Sequence, residues 1–154
     1  MSGIVDIFDR AVSHAAATGL FDRVNTHEPK SPPGNGVTCA IWVQNLKPSP
    51  GNSGLAATSG YLELRVRLHT NMLQQPEDAI DPNMLTAAIT LMGKYSGDFR
   101  LSETVKNVDL LGSDGPGLSL TAGYVRVAGQ GNQLMRVMDI VLPVIINDLW
   151  AQVA

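Results

Sequence analysis

The residues that could do chemistry in this chain are few and scattered. Of its three histidines, His14 falls in a helical pattern, His27 opens a loop and His69 ends a strand pattern. None has a partner at the i, i+4 spacing of a helical metal pair, and the single cysteine, Cys39, leaves no second thiolate for zinc. His27-Glu28 begins like a zincin signature, but Pro29 follows and the second histidine does not come. Gly51-Asn52-Ser53-Gly54 and the cluster from Gly112 to Gly117 are glycine-rich. Neither matches a P-loop or leads directly from a strand into a helix, so both read as turns. No Gly-x-Ser-x-Gly elbow occurs. Cys39 sits in an apolar strand pattern and reads as a buried small hydrophobe. Arg65 and Arg67 could hold a phosphate, but Glu63 beside them and the net charge of −3 favour salt bridges, within or between subunits. The methionines read as core fillers. The expectation is no catalytic residue, no metal and no cofactor.

The elements that must carry these residues are legible from periodicity. Tyr61 to Thr70 alternates strictly. Leu62, Leu64, Val66 and Leu68 point one way, and Tyr61, Glu63, Arg65, Arg67 and His69 the other. Covered strands of a parallel sheet read as apolar runs, and this one does not. Helices can therefore cover one face only, leaving the charged face for water, a cavity or a partner. Ser2 to Thr18 predicts an amphipathic helix with Ile4, Phe8, Val12 and Ala15 in its stripe, Ser2 as N-cap and Gly19 as the residue past its end. Asp81-Pro82 predicts an N-cap and first helical position for a second helix. Its stripe is Met84, Leu85, Ala88, Ile89 and Met92, and Gly97 ends it. Val37–Leu46 and Tyr61–Thr70 read as a hairpin across a long Lys47–Gly60 connection. His27–Gly36, with three prolines and two glycines, reads as a loop or arm. Val105–Leu111, Leu118–Ala128 and Leu134–Leu142 supply further strands, with Pro143 expected to end the last or place it at an edge. The prediction is an α+β two-layer sandwich, a mainly antiparallel sheet with two helices on one face. Its core is expected to hold Ile4, Phe8, Val12, Leu64, Val66, Leu85, Ile89 and Ile140.

Bulk properties narrow the class. The 154 residues suit one domain spanning 1–154. Charged residues are only 16%, against a typical value of about 25%, which suits a surface partly covered by neighbours. The mild acidity gives no basic footprint for nucleic acid. No signal-peptide core is visible near the N-terminus. The longest apolar run, Ile140 to Ile146, is interrupted by Pro143 and falls far short of the roughly 18–20 residues that span a bilayer. Production in a cytoplasm, with assembly there into something larger, is the expectation. Trp150, in Asn147-Asp148-Leu149-Trp150, either pins the chain's end onto its own core or anchors a neighbour.

In the order of its segments the chain resembles the tail terminator proteins of long-tailed bacteriophages. The resemblance runs through Gly19-Leu20-Phe21-Asp22-Arg23-Val24-Asn25, His27-Glu28-Pro29-Lys30 with the proline-glycine loop, and Ala40-Ile41-Trp42-Val43. It continues through Arg67-Leu68-His69, Asp78-Ala79-Ile80-Asp81-Pro82 and Tyr95-Ser96-Gly97-Asp98-Phe99. Val108-Asp109-Leu110-Leu111-Gly112 and Leu142-Pro143 to Trp150 complete it. None of these is a catalytic fingerprint; their joint order carries the resemblance.

The resemblance implies a non-enzymatic virion protein, assembled in the host cytoplasm. It implies a ring of identical subunits, usually a hexamer, on the head-proximal end of the tail tube. Such a ring stops tube polymerisation and gives the head connector a docking surface, while DNA passes through its lumen without specific binding. A mildly acidic subunit suits such a lumen, because phosphate neutralisation drives non-specific binding. Free sheet edges invite pairing with another chain, and head-to-tail contacts can close into rings. The expected interface residues are Tyr61, Glu63, Arg65, Arg67, Pro29, Lys30, Lys47 and Trp150, with the two long loops contacting neighbours. A head-side connector or stopper protein is the related alternative. A small enzyme or ligand-binding domain on the open sheet face is the second, and a well-formed apolar pocket with convergent polar groups would favour it.

Overall fold

A strand with one apolar and one charged face needs a sheet on both sides and helices on one face, and Tyr61–Thr70 lies in the middle of such an arrangement. The computed structural model describes residues 4–21, 23–26, 37–50, 54, 56–71, 80–112, 115–127 and 133–151. The elements are α1 (Ile4–Ala17), β1 (Arg23–Asn25), β2 (Thr38–Pro48), β3 (Ala57–Asn71), α2 (Ile80–Gly97), β4 (Asn107–Val108), β5 (Ser119–Val127) and β6 (Gln133–Ala151). The six strands form one sheet in the order β1-β2-β3-β6-β4, with β5 also paired to β6. Only β1–β2 is parallel. Every other described ladder is antiparallel.

Leu62, Leu64, Val66 and Leu68 of β3 are buried, together with Cys39 and Ile41 of β2 and Ile140, Leu142, Val144 and Ile146 of β6. They share one core with the inner faces of α1 and α2. This is the α+β two-layer sandwich the alternation predicts, with both helices on one face.

Within the helices the predicted stripes need correction. On α1 the fully buried line is Ile7, Ala11 and Ala15, while Phe8 and Val12 only flank the core and Ile4 is exposed. On α2 the buried residues are Ile80, Met84, Ala87, Ala88, Leu91 and Tyr95; Leu85 and Ile89 point outward. The cause is close packing. Alanines on the inner faces let the helices approach the sheet and each other, and the buried Tyr95 hydroxyl donates to the Ala11 carbonyl at 2.9 Å. Larger apolar residues are left outside. The start of α2 differs as well. Asp81 and Pro82 lie inside the first turn of α2, where a missing N–H costs nothing. The Asp81 carboxylate does not cap the helix but accepts from Arg136 Nε at 2.8 Å and from its terminal nitrogen at 3.2 Å. Gly97 closes α2 as predicted. Gly19 follows α1 at φ 69°, the left-handed conformation expected of it. Ser2 lies outside the described residues.

Pro143 neither ends β6 nor sits at its edge; the strand runs on to Ala151. Pro143 lies opposite Glu63 in the β3 ladder. Its carbonyl accepts from Asp109 N at 2.9 Å, on the side away from β3. Backbone N–H and C=O of one strand residue point the same way, so the proline nitrogen also faces away from β3. There the pairing passes from β5, whose first residue Ser119 lies opposite Val141, to β4, whose last residue Val108 lies opposite Val144. The ring nitrogen occupies that changeover and no ladder bond is lost. The expected Lys47–Gly60 connection is shorter than predicted, because the hairpin ladder continues through Lys47↔Tyr61 and Pro48↔Gly60. Of Val105–Leu111, only Asn107–Val108 is strand.

Candidate functional site

The charged face of β3 is not free. Arg67 and Asp139 sit directly opposite in the β3–β6 ladder. Arg67 donates to Asp139 through Nε at 2.7 Å and through a terminal nitrogen at 3.0 Å. This bidentate geometry is the strong form of the pair. Arg65 reaches Asp139 at 3.3 Å and Glu63 at 3.3 Å. Two cations and two anions therefore cancel along one row, and the carboxylates are nearly buried. The Arg67 guanidinium also lies 5.2 Å from the centre of the Trp42 ring. Asp139 is the member sequence reasoning missed. The signal was present, since it is the one acid within the apolar run from Leu134 to Leu142.

The expected exposure of this face is corrected at three positions: Tyr61, Glu63 and His69 are buried. Tyr61 is covered by the turn between β4 and β5. Its hydroxyl donates to the Pro116 carbonyl at 2.7 Å, and Lys47, its cross-strand neighbour, holds its ammonium 5.1 Å from the ring centre. The turn is built on glycine. Gly112 has φ 85°, and its N–H donates to the Asp109 carboxylate at 3.2 Å. A Cβ on Gly117 would lie 2.7 Å from the Leu110 carbonyl oxygen and 2.8 Å from Gly112 N. Both are backbone atoms that cannot swing away. Gly117→Ala is accordingly expected to lower stability by about 2 kcal/mol in urea unfolding and to raise the accessibility of Tyr61 to solvent quenchers. An unchanged midpoint would show that the turn rearranges freely.

His69 has neither ring nitrogen in a hydrogen bond and is 2% exposed. Burial, then the positive charge of Arg67, push its pKa down to about 4, against a smaller opposing pull from Asp139. Trp42 Nε1 and Arg65 Nε are also buried without partners, so the sheet face is incompletely satisfied from within. Cys39 is buried and its thiol is pushed up to about 12, as an inert core cysteine should be.

At the far end of the sheet, Ser59 and the Asn147-Asp148 pair form a bulge. Ser59 Oγ donates to Asn147 Oδ1 and accepts from Asp148 N, each at 3.1 Å, and Asp148 takes φ 51°. Beyond the bulge, Leu149 rather than Trp150 pins the strand end. It packs over Gly60, where a Cβ would come within 2.6 Å of Leu149 Cδ2. Trp150, opposite Thr58, remains 40% exposed. Pro29 and Lys30 lie outside the described residues.

A second polar cluster joins the helices. Asp98 accepts from Ser102 N at 2.9 Å and pairs with His14 Nε2 at 2.8 Å. Burial of Asp98 opposes its ionisation, but the hydrogen bonds from Ser102 and His14 outweigh it and hold the carboxyl below its ordinary range. Next to it, three successive residues, Leu101, Ser102 and Glu103, take positive φ. Among the described residues no group of three or more His, Cys, Asp or Glu side chains gathers as metal ligands. The described residues line surface hollows. One of about 270 Å³ is flanked by Arg100, Glu103 and Lys106, and one of about 370 Å³ is lined by Ile4, Val5, Phe8, Asp9 and Thr26. Neither includes a residue of the sheet-face network.

No protein-family model and no curated protein matches the chain. Among solved structures, it is similar to the sheath/tube terminator of the extracellular contractile injection system PVC, in the extended state, with 12% identity and a TM-score of 0.35. That match covers 99% of this chain, which spans 59% of the other's length. It is also similar to a chain of the virion of a native gene transfer agent particle, with 16% identity and a TM-score of 0.34, covering 86% of this chain and 83% of that one.

Proposed function

We propose that this chain is a non-enzymatic tail terminator that assembles as a ring, most simply a hexamer, on the head-proximal end of a phage tail tube, ends its growth and offers a docking surface to the head. The carrying observation is the surface. In a chain with few charges, large apolar side chains stand out on the helix layer and the turns: Val5 is 70% exposed, Ile89 61% and Leu111 99%. Such a surface suits a protein covered on several sides by neighbours. The charged groups on the sheet face cancel one another instead of converging on a substrate, which supports a packing role over chemistry. The ordered resemblance to tail terminators supplies the particular assembly.

Of the expected interface residues, Trp150, Lys47 and the partly exposed edges of Arg65 and Arg67 remain available to a neighbour. Tyr61 and Glu63 would act by holding that face in shape. Mass measurement of the purified chain, alone and mixed with tail tubes, tests the reading. The expected result is monomer or a closed ring for the chain alone, and a single ring's mass added per tube. Binding along the whole length of the tube, or no binding, would reject it.

A further inference from the structure

Among the described strands, the sheet has an open edge on each side. β1 pairs only with Thr38–Ala40, so among the described strands nothing pairs with the outer side of β2 from Ile41 to Pro48. On the opposite side of the sheet, among the described strands β5 pairs with β6 alone, and no described strand pairs with its outer edge from Ser119 to Val125. Apart from the register shift at Gln44 in β2, neither stretch carries the usual edge protection. From Ile41 to Leu46, and from Ser119 to Val125, there is no charged residue and no proline. An uncharged edge of this length is a template for strand pairing.

The two edges also match face by face. The register shift at Gln44 keeps Val43 and Leu46, opposite Leu64 and Leu62, on the helix side of the sheet. Both are 47% exposed. On β5, Leu120, Ala122 and Tyr124 lie on that same side, opposite Ile140, Met138 and Arg136. Tyr124 is 59% exposed and is held in place by the Arg136 guanidinium, 4.4 Å from its ring centre. On the other side of the sheet, Trp42 and Asn45 of β2 correspond to Ser119, Thr121 and Val125 of β5. Direction agrees too. β2 is antiparallel to β3, β3 to β6 and β6 to β5, so β2 and β5 run in opposite senses. A second copy placed to continue the sheet would therefore set its β5 antiparallel to this β2, with apolar side chains meeting on the helix face and the polar Asn45, Ser119 and Thr121 beside Trp42 and Val125 on the other.

We infer that subunits join head to tail by pairing the Ile41–Leu46 edge of β2 with the Ser119–Val125 edge of β5 in the next copy. The occupant of each edge is a second copy of this chain, because the two edges differ from one another and lie on opposite sides of one sheet. Such a contact is heterologous and leaves each new copy with the same open edge, which is the geometry of a ring or a filament. The inference rests on the ring reading above and gives that ring its interface.

The test is oxidative cross-linking of the full chain, alone and on tail tubes. The exposed Asn45 and Thr121 are replaced by cysteine, singly and together, and Val43→Cys with Ala122→Cys forms a second pair on the other face. The native Cys39 is buried and serves as silent background. The expected result is a ladder of disulfide-linked multimers from a double variant and none from the single variants. Dimers from either single variant would mean that like edges pair, and would overturn the inference. A ring by mass with no cross-link in either double variant would overturn the inference and leave the ring standing. Absence of any ring, with and without tubes, would remove both.

Discussion

Replacing Asp139 with alanine should lower the unfolding free energy by about 3 kcal/mol and the melting temperature by about 6–12 °C. Asp139 is 8% exposed and answers both Arg67 and Arg65. Without it two guanidiniums share one row with only Glu63 to balance them. Removing one partner of a fully buried pair costs roughly 3–5 kcal/mol. The lower end applies because the arginine side chains keep 24% and 21% of their surface in solvent. Arg67→Ala should cost more than Arg65→Ala, since Arg67 makes the shorter, bidentate contact and also covers Trp42. If Arg65 and Arg67 bridged subunits from an exposed face, as the alternation of β3 allows, their charge reversal would weaken subunit contact with little effect on folding. The intramolecular network revises this: reversal at Arg67 should destabilise the subunit itself. A thermal melt of Asp139→Ala within 1 °C of the parent, on the scale of about 2–4 °C per kcal/mol, would show that the network carries no net stability.

Acid should destabilise the protein well before its carboxylates protonate. His69 titrates near 6.5 in an unfolded chain and at about 4 in the fold. The unfolded state therefore binds the extra proton first, and stability falls as the pH drops from about 6.5 to about 4. The full shift corresponds to about 3 kcal/mol at roughly 1.4 kcal/mol per unit. Asp98, held below its ordinary range, contributes in a different window, losing its effect only as the pH falls through and below the usual carboxylate values. His69→Leu removes the titrating group together with two unpartnered ring nitrogens. Its stability at pH 7 is expected to equal or exceed the parent's, and its loss between pH 6.5 and 4 to be much smaller. Urea melts at a series of pH values measure both. An identical pH slope in parent and variant would assign the acid sensitivity elsewhere.

The alternation in Tyr61–Thr70 was enough to specify the sheet's two faces and the placing of both helices, because a period of two has only one reading. The helix stripes were less legible. α2 is apolar on several sides, so size favoured Leu85 and Ile89 for the core, whereas close packing selected Ala87 and Ala88. The charge network was half legible: Glu63, Arg65 and Arg67 announce a row of charges, but the strand that answers it depends on long-range register, which places Asp139 opposite Arg67. Pro143 misled for a similar reason. A proline in mid-strand is costly only where its nitrogen faces a partner, and here the partner strands change at that point. The burial of Tyr61 depends on the β4–β5 turn folding back across the sheet, a tertiary event that no local pattern encodes.

The central claim is that this chain ends a tail tube and prepares it for a head. Electron microscopy of particles made by a phage lacking the gene, with and without the chain supplied in trans, tests it most directly. The account predicts tails of uncontrolled length, unjoined to filled heads, and restoration of uniform tails and infectivity by the supplied chain. Tails of normal length beside unattached heads would move the chain to a head-side connector. Fully infectious particles without it would contradict the account.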